Sequence, residues 1–470
     1  MRYDLCVIGS GPAGQKGAIQ ASKLGKSVCV IEKREVVGGV TVNTGTIPSK
    51  ALREAILHMI GHASATPLER DFAAARNRSF TELIASCRKV ILTEVEMIER
   101  HFRSNGINLF HGSARFVEPH VIEAVSESGI ARIEADHFII AVGSHPAKPD
   151  DIEFDGANII TSDELLSLPF LPHSLLVVGG GVIGTEYASM LAALGVKVTL
   201  VEGRNRLLDF VDAEISEALQ YHLRRSGMTL RLGEKVVSIG TVAPQSGARS
   251  VNNRLVEAVL ESDKVLRADC LLYCVGRQGA TDGLDLEKIG LSSDSRGRLA
   301  VNEHLQTAVP HIYACGDVIG FPALASTSME QGRIAACHMF HTACTNVPEQ
   351  IPYGVYAIPE ISMVGWTEER LTAEGIPYES GIAQYSEIAR GQLLGDLTGM
   401  LKMLIHQETH QILGVHAIGT GATELIHIGQ AAIAFNATVE YFVNAVFNYP
   451  TLAECYKVAA LNGLNKLRGV

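Results

Sequence analysis

The stretch YDLCVIGSGPAG, residues 3–14, decides the fold predicted for this chain. An apolar strand closes on a glycine-rich turn, and the helix that follows runs to Leu24. A second apolar strand over residues 27–31 then ends at Glu32. This order of strand, glycine turn, helix, strand and acid is typical of a unit that binds a dinucleotide.

Each glycine of the turn has a physical task in such a unit. Gly9 permits the tight turn, Gly11 lets the backbone approach a pyrophosphate, and Gly14 lets the helix pack closely on the strand. Glu32 is placed to accept hydrogen bonds from ribose hydroxyl groups. A single G-x-G-x-x-G is weak evidence because glycine turns are common, so the surrounding strands and helix carry the prediction.

The same pattern recurs about 170 residues later. The stretch LLVVGGGVIG, residues 175–184, is followed by a helix through Leu194 and a strand that ends at Glu202. The glycines in the corresponding places are Gly179, Gly181 and Gly184. Two chance matches would have to reproduce the same series of elements, so the repetition is stronger evidence than either copy alone. One flavin dinucleotide, FAD, and one nicotinamide dinucleotide is the simplest assignment.

Length and composition indicate a globular protein of several domains. A chain of 470 residues is long enough for about three domains. Its 47% of hydrophobic residues and 45 glycines favour a globular α/β class. The net charge of −11 argues against a nucleic-acid partner, because binding to a phosphate backbone needs a basic surface.

The cysteines indicate neither a metal site nor an oxidising compartment. The nine cysteines include no C-x-x-C pair and no cluster with histidine, so we expect no metal. The first strand begins by Tyr3, which leaves no room for a signal region, and no uncharged run reaches the ~18 residues of a membrane span. We therefore expect a cytoplasmic enzyme without a membrane partner.

Apolar periodicity predicts the main elements beyond the two glycine turns. The predicted helices are 51–62, 80–102, 324–340, 424–435 and a last one from Thr451, and the predicted buried strands include 138–144 and 271–277. From about Ile351 the pattern becomes strand-rich and contains no nucleotide motif.

The stretch GGVTVNTGTIPSK, residues 38–50, resembles part of a known family. It is similar to the redox-active segment of the flavoprotein disulfide reductases, in which a Gly-Gly pair precedes two cysteines and an Ile-Pro-Ser-Lys tail follows. Both cysteine places are occupied by threonine here, Thr41 and Thr46. Electron transfer to a dithiol needs sulfur of tuned acidity, so these threonines cannot perform it.

The resemblance extends over essentially the whole chain. TAVPHIYACGD, residues 307–317, resembles the family's second flavin motif, with Asp317 facing the ribityl chain, and residues 359–365 and 447–454 resemble landmarks of its interface domain. The family, whose familiar member is dihydrolipoamide dehydrogenase, implies an α/β fold with two Rossmann-like dinucleotide-binding domains, for FAD and NAD(P), plus an α+β C-terminal dimerisation domain. The implied domains are 1–145 with 276–345 for FAD, 146–275 for NAD(P) and 346–470 for the interface, in a homodimer or larger homo-oligomer.

A second departure from the family lies near the C-terminus. The family has a catalytic histidine before a Pro-Thr pair, supplied by the partner subunit, whereas this chain has Tyr449 there and keeps the following Glu454. Loss of the dithiol together with its acid–base partner predicts a changed reaction. These segments look most like the soluble pyridine nucleotide transhydrogenase branch of the family, although that branch does not always replace the first cysteine.

The resemblance implies a ping-pong hydride transfer. NADPH reduces FAD and leaves, and NAD⁺ then takes the same site and removes the hydride, so NAD(H) and NADP(H) are expected as substrates. Two alternatives would use the same segments, namely a reductase that passes electrons to a quinone, dye or oxygen, and an inactive flavin-bound scaffold. Retention of Lys50 and Glu186 would be unnecessary for a scaffold.

The resemblance also implies roles for single residues. Lys50 is expected beside the flavin's reactive nitrogen and paired with Glu186, while Thr46 either hydrogen-bonds near the flavin or fills the space of a sulfur. Tyr449 either donates a hydrogen bond at the edge of the site or packs in the interface. Further cofactor contacts are expected at Gly39, Thr41, Ala114, Gly143, Gly276 and Ala325.

The strand that follows the second glycine turn ends among residues that would distinguish NAD(H) from NADP(H). Glu202 favours NAD(H), because an acid repels the 2′-phosphate of NADP(H). Arg204 and Arg206 are placed to attract that phosphate. Arg206 lies in an Arg-Leu-Leu run also seen in NAD-specific family members, so Arg204 is the better candidate, and a solvated loop arginine is the alternative.

Overall fold

The computed structural model describes residues 1–63, 72–244, 254–344 and 350–469, and the chain separates into two units. Unit 1 consists of Met1–Asp151, Thr161–Phe170 and Val275–Pro348. Unit 2 consists of Ile152–Ile160, Leu171–Cys274 and Glu349–Val470. The finer division into three domains stays a prediction.

The strands and α-helices are numbered along the whole chain. The strands are β1 (Arg2–Ile8), β2 (Val28–Glu32), β3 (Asn108–His111), β4 (Ser113–Glu118), β5 (Val121–Ser126), β6 (Gly129–Ile140), β7 (Ser144–Pro146), β8 (Ile159–Ile160), β9 (Ser174–Val178), β10 (Lys197–Glu202), β11 (Thr229–Leu232), β12 (Val236–Val242), β13 (Leu255–Leu260), β14 (Val265–Ala268), β15 (Cys270–Tyr273), β16 (Arg277–Gly279), β17 (Ile312–Ala314), β18 (Tyr353–Val355), β19 (Ile361–Gly365), β20 (Tyr378–Gln384), β21 (Met400–His406) and β22 (Ile412–Ile418). The helices are α1 (Pro12–Lys23), α2 (Gly39–Asn43), α3 (Thr46–Ala63), α4 (Phe72–Ser104), α5 (Val182–Ala193), α6 (Ala213–Arg225), α7 (Ala325–Met339), α8 (Glu368–Ala373), α9 (Ala389–Leu394), α10 (Ala422–Ala434), α11 (Val439–Asn444) and α12 (Glu454–Leu467).

The main sheet of unit 1 places several strand ends at one edge. Its order is β3-β2-β1-β6-β5-β4, and β17 pairs with β6. β1 runs parallel to β2 and β6, and β17 runs parallel to β6, whereas β5 pairs with β6 in antiparallel fashion. β1, β2 and the end of β6 are apolar and buried on both faces, as parallel strands covered by helices are. The carboxyl ends of β1, β2, β6 and β17 therefore share one edge, which is where open α/β sheets bind ligands.

Unit 2 contains a parallel sheet and two antiparallel sheets. The parallel sheet has the order β11-β10-β9-β15-β8. The strands β12-β13-β14 form one antiparallel sheet, and β18-β19-β22-β21-β20 form the other, on which α10 and α12 pack. The carboxyl ends of β9 and β10 lead into the second glycine turn and its acid.

Some predicted element boundaries were wrong. The predicted strand 138–144 ends at Ile140, and the predicted strand 271–277 ends at Tyr273. In each case a glycine with positive φ follows, Gly143 (+71°) or Gly276 (+88°), and turns the chain out of the strand. α3 begins at Thr46 rather than at residue 51, and the last helix begins at Glu454 rather than at Thr451.

Unit 2 buries a lysine among carboxylates. The Lys402 side chain is fully buried on β21, and its Nζ lies 2.9 Å from Asp212 Oδ1, 3.0 Å from Glu214 Oε2 and 3.0 Å from Glu368 Oε2. Burial lowers the pKa of Lys402, but these carboxylates outweigh burial and raise it. For Asp212, which is also fully buried, burial raises the pKa while His416 and Lys402 lower it below its ordinary value. Lys402 therefore compensates a carboxylate that has no access to water.

We expect the Lys402→Met variant to be less stable by about 3–5 kcal/mol, because Asp212 would remain buried and charged without its cation. The matched control is Lys264→Met, whose side chain is 54% exposed in its pair with Glu234, so that its loss costs about 0–1 kcal/mol. Thermal unfolding of both holoenzymes measures the difference, and equal unfolding temperatures would contradict the assignment. Because the pKa of Asp212 is lowered in the folded protein, the stabilisation that comes from its pair with Lys402 is present at neutral pH and is lost as the pH falls through that pKa.

Candidate functional site

The first glycine turn has the geometry of an anion cradle. Gly9 has φ +101°, and a Cβ there would lie 2.4 Å from the Ala141 carbonyl oxygen. A Cβ on Gly14 would lie 2.0 Å from the Gly9 carbonyl oxygen, so only glycine lets α1 approach β1 this closely. At Gly11 a Cβ would meet nothing within 4 Å. Gly11 caps α1 without a side-chain hydrogen bond and the first turn has no acidic residue, so its amide groups remain available to a phosphate.

Glu32 closes this turn from the neighbouring strand. Its Oε2 accepts hydrogen bonds from the Ser10 amide (3.0 Å) and the Ser10 hydroxyl (2.6 Å), and its Oε1 accepts one from the Arg34 amide (2.9 Å). The residue is only 5% exposed. Each carboxylate oxygen retains acceptor capacity for a ribose hydroxyl group.

A cleft of about 330 Å³ runs along this edge of unit 1. The predicted flavin contacts that line it are Gly9, Gly11, Glu32, Gly39, Thr41, Ala114, Gly143 and Asp317. These residues come from six separate segments of the sequence, so the fold brings the predicted set together. Gly14, Thr46, Lys50 and Ala325 belong to unit 1 but do not line the cleft.

Asp317 is held by a hydrogen-bonded chain that the sequence did not reveal. Arg277 Nε donates to Ser144 Oγ (2.8 Å), and Ser144 Oγ donates to Asp317 Oδ2 (2.7 Å). Arg277 Nη2 also donates to the Ser144 carbonyl (2.9 Å). Ser144 and Asp317 are 173 positions apart, and no local pattern signals their contact. The predicted contact Gly276 lies next to Arg277, outside the lining of the cleft.

The threonine-substituted segment forms two consecutive helices. Gly39 begins α2 with φ +58°, and a Cβ there would lie 2.9 Å from the Gly11 Cα, so this glycine permits contact with the first turn. Thr41 lies on α2 and lines the cleft, whereas Thr46 is the first residue of α3. Lys50 lies one turn further along α3, half-buried, with its Nζ 3.3 Å from Ser49 Oγ.

The second glycine turn, in unit 2, repeats the geometry of the first. Gly179 has φ +105°, a Cβ on Gly184 would lie 2.0 Å from the Gly179 carbonyl oxygen, and a Cβ on Gly181 would meet nothing within 4 Å. Glu202 Oε2 accepts the Gly180 amide at 2.6 Å, as Glu32 accepts the amide of Ser10. Two segments far apart in the sequence thus form the same cradle.

Arg204 is paired with two acids and is 45% exposed. Its Nε and Nη2 donate to the two oxygens of Glu202, each at 3.0 Å, and its Nη1 pairs with Asp209. Burial raises the pKa of Glu202, but the hydrogen bonds from Arg204 and the Gly180 amide outweigh burial and lower it. Arg206 instead pairs with Glu369 at 3.2 Å and donates to the Asp209 carbonyl, which fixes the loop.

The predicted acid–base residues belong to both units of the chain. Glu186 is 3% exposed on α5 of unit 2, and its Oε1 accepts the Tyr356 amide at 2.8 Å, so its predicted pairing with Lys50 of unit 1 stays a prediction. Tyr449 is 74% exposed. Glu454 begins α12, and its Oε2 is buried without a hydrogen-bond partner among the described residues.

Sequence comparison decides the family. The pattern described as "Pyridine nucleotide-disulphide oxidoreductase" matches residues 3–332, and that described as "Pyridine nucleotide-disulphide oxidoreductase, dimerisation domain" matches residues 351–460. This chain belongs to the pyridine nucleotide-disulphide oxidoreductase family. The predicted family, its oxidoreductase class and the predicted fold class are thereby confirmed.

Curated relatives over the full length share one name. The chain is 48% identical over 470 residues to the soluble pyridine nucleotide transhydrogenase of Mycobacterium bovis strain BCG, covering 100% of this chain and 98% of the relative. It is 46% identical to that of Enterobacter sp. strain 638, covering 99% and 98%. The resemblance to this branch is confirmed.

Solved structures show the same fold. The HOCl-induced flavoprotein disulfide reductase RclA from Escherichia coli matches with a TM-score of 0.86 at 25% identity, covering 98% of this chain and 99% of that chain. LpdA from Mycobacterium tuberculosis matches with a TM-score of 0.87 at 24% identity and the same coverage, which shows the fold alone.

The family implies binding of FAD and a nicotinamide dinucleotide, and the two cradles fit these groups. A Cβ on Gly11 or on Gly181 would meet nothing within 4 Å, and the helix that follows has no side-chain cap in either cradle. A buried acid, Glu32 or Glu202, ends the neighbouring strand. None of the helices in the described residues is long and apolar enough to cross a membrane.

We expect Gly11→Val to abolish flavin retention, because its side chain would fill the open cradle at the start of α1. The backbone at Gly11 is extended (φ −67°, ψ −179°), a conformation that valine adopts readily, so the effect is steric. Gly240→Val is the matched control, since a Cβ there also meets nothing within 4 Å. Flavin absorbance of the purified variants measures the outcome. Full flavin content in Gly11→Val would refute the assigned phosphate position.

Proposed function

We propose that this chain catalyses NADPH + NAD⁺ = NADP⁺ + NADH in a ping-pong cycle with bound FAD and without a redox disulfide. FAD supplies a carrier that accepts a hydride from one nicotinamide dinucleotide and returns it to another. The observation that carries the proposal is the pair of matching cradles combined with Thr41 lining the cleft where a disulfide reductase has sulfur.

The residues of unit 1 would bind and orient the flavin dinucleotide. The first glycine turn and the start of α1 would hold the pyrophosphate, and Glu32 the adenosine ribose. Asp317, oriented by Ser144 and Arg277, would hold the ribityl hydroxyl groups. The uncapped start of α7, whose first turn carries no acid and whose Ser328 lines the cleft, would favour negative charge nearby.

No cysteine of the cleft is suited to carry electrons away. Cys315 lines the cleft but is fully buried, and burial raises its pKa far above the ordinary value, so it remains a thiol. All nine cysteines are free of disulfide bonds. Lys50, Glu186, Thr46, Tyr449 and Glu454 remain the proposed catalytic residues from the family resemblance.

An anaerobic half-reaction experiment tests the proposed function. The holoenzyme is reduced with NADPH, freed of excess coenzyme, and then mixed with thio-NAD⁺ or, separately, with a quinone. Rapid formation of thio-NADH is expected. Reoxidation by quinone but not by thio-NAD⁺ would favour the alternative reductase, and absence of reduction by NADPH would favour the scaffold.

Arg204 would let one site serve both coenzymes. In its pair with Glu202 it offsets the negative charge that repels a 2′-phosphate, and its side chain is 45% exposed, so it can turn to that phosphate. Asp209, 52% exposed, competes for the same guanidinium. NAD(H) would instead leave the Arg204–Glu202 pair in place.

We expect Arg204→Leu to raise the KM for NADPH about 10- to 100-fold, as expected for the loss of hydrogen bonds to a charged group, while the KM for NADH stays within about 3-fold. Asp209→Asn is expected to lower the KM for NADPH, because it releases Arg204 from one of its two acids. Arg224→Leu, on the exposed end of α6, is the control. Steady-state kinetics with both coenzymes measures these effects, and equal changes for NADPH and NADH would exclude a role for Arg204 at the 2′-position.

Self-association completes the proposal. Large apolar side chains of residues 435–449 are exposed: Phe435 (85%), Tyr441 (61%), Val446 (95%) and Tyr449 (74%). These positions fall within the match to the family's dimerisation domain, and a second copy of the chain would cover them. Sedimentation velocity is expected to show twice the 50.5 kDa chain mass, and Val446→Asp to weaken the dimer. An active monomer would refute this.

A further inference from the structure

The end of α7 reverses the chain direction in a defined turn. The Thr342 amide donates to the Cys337 carbonyl (2.8 Å), and the His341 amide donates to the His338 carbonyl (3.2 Å). His341 lies between them with φ +54°, in the left-handed region. These two bonds and the left-handed residue define a Schellman turn, which ends a helix and directs the chain back along it.

This reversal brings two thiols together. Cys337, on the last turn of α7, is 1% exposed, and Cys344, which follows the turn, is half-buried against an apolar cluster that includes Ile334 and Met339 of α7. Cys344 lies near enough to Cys337 to raise the pKa of its thiol. A disulfide requires the sulfurs to approach to about 2.05 Å. Cys344 lies outside regular secondary structure, so a shift of its backbone would break no helix or strand hydrogen bond.

The surroundings give the two thiols different chemistry. Burial and the contact with Cys344 raise the pKa of Cys337 to about 11, although the guanidinium of Arg333 opposes this rise. Arg333 Nη1 lies 4.0 Å from Cys337 Sγ, and Arg333 is itself paired with Glu330. Cys337 is therefore a protonated, enclosed thiol at neutral pH, and the more accessible Cys344 meets a dissolved oxidant first.

We propose that Cys337 and Cys344 form a reversible disulfide when hydroperoxides oxidise the protein. The Cys344 thiolate attacks the O–O bond of hydrogen peroxide, which gives a sulfenic acid and hydroxide. The Cys337 sulfur then attacks the Cys344 sulfur, the S–O bond breaks, and the departing hydroxide takes the Cys337 proton as water. Overall, two thiols and one peroxide give one disulfide and two waters, and an added dithiol reverses the reaction by exchange.

The bond would act where the chain leaves unit 1. The last segment of that unit is Val275–Pro348, and the disulfide would fasten residue 344 to α7 just before that segment ends. It is separate from positions 41 and 46, and it does not depend on the proposed hydride transfer.

The chain supplies its own control pair. Cys6 and Cys29 are directly opposite each other on the parallel strands β1 and β2, and burial together with the neighbouring Cys29 raises the pKa of Cys6. Both are 0% exposed, however, so an oxidant in solution has no access to them in the folded protein. We therefore expect the Cys6 and Cys29 thiols to stay reduced, because they are neighbours but a dissolved oxidant does not reach them.

The test treats the FAD-loaded holoenzyme with hydrogen peroxide, blocks free thiols with N-ethylmaleimide after unfolding, and analyses a tryptic digest without reduction. Cleavage after Arg333 and Arg370 leaves Cys337 and Cys344 in one peptide, Ile334–Arg370, without any other cysteine. We expect this peptide to lose two hydrogen atoms in mass and to take up no maleimide, and dithiothreitol to restore both labels. Cys6 and Cys29 are expected to remain fully labelled.

The Cys344→Ser variant completes the test, with Cys337 expected to be labelled before and after peroxide. Full labelling of Ile334–Arg370 after peroxide in the unmodified protein would overturn the proposal. Conversion of Cys344 to a sulfinic acid with Cys337 still labelled would overturn it as well. Equal oxidation of the Cys6–Cys29 pair would show that the reaction follows unfolding rather than access, and would also refute it.

Discussion

The hydrogen bond between a buried carboxylate and a glycine-turn amide is the interaction on which both nucleotide cradles depend. Glu32 accepts from Ser10, and Glu202 accepts from Gly180, in each case from the end of the neighbouring parallel strand. Both acids are at most 7% exposed, so an unpaired carboxylate at either place would be costly. The bond ties the strand end to the turn while leaving the helix start uncapped, and an uncapped helix start is what an incoming phosphate requires.

The chemistry proposed for the cleft follows from threonine at the two positions where the family pattern has cysteine. Hydroxyl oxygens at 41 and 46 cannot store electrons as a dithiol does, and Cys315, which does line the cleft, is buried as a neutral thiol. What remains is a set of binding and orienting groups, with Asp317 held by Ser144 and Arg277. In the proposed function such a site positions two dinucleotides in turn, and Arg204, paired with Glu202, is the residue proposed to contact the 2′-phosphate.

Sequence reasoning succeeded where local residues determine local geometry. The turn expected at Gly9 and the close packing expected at Gly14 agree with the positive φ of Gly9 and the short distance from Gly14 to the Gly9 carbonyl, because both depend only on neighbouring residues, while the phosphate contact at Gly11 stays a prediction. It failed for contacts between distant segments: Ser144 with Asp317, Glu186 with Tyr356 and Lys402 with Asp212 are separated by 170 to 190 positions and follow no periodic pattern. Strand ends were misjudged because the apolar runs extend beyond Ile140 and Tyr273 as far as a glycine, whose positive φ only the folded backbone reveals.

The central claim is that electrons entering this chain go no further than the flavin before a second nicotinamide removes them. Anaerobic titration of the holoenzyme with NADPH, in the Cys344→Ser variant so that its pair with Cys337 cannot contribute, measures this directly. The account predicts complete flavin bleaching at about one NADPH per flavin with no new protein thiol. Uptake of about two NADPH per flavin with the appearance of two new thiols would contradict it.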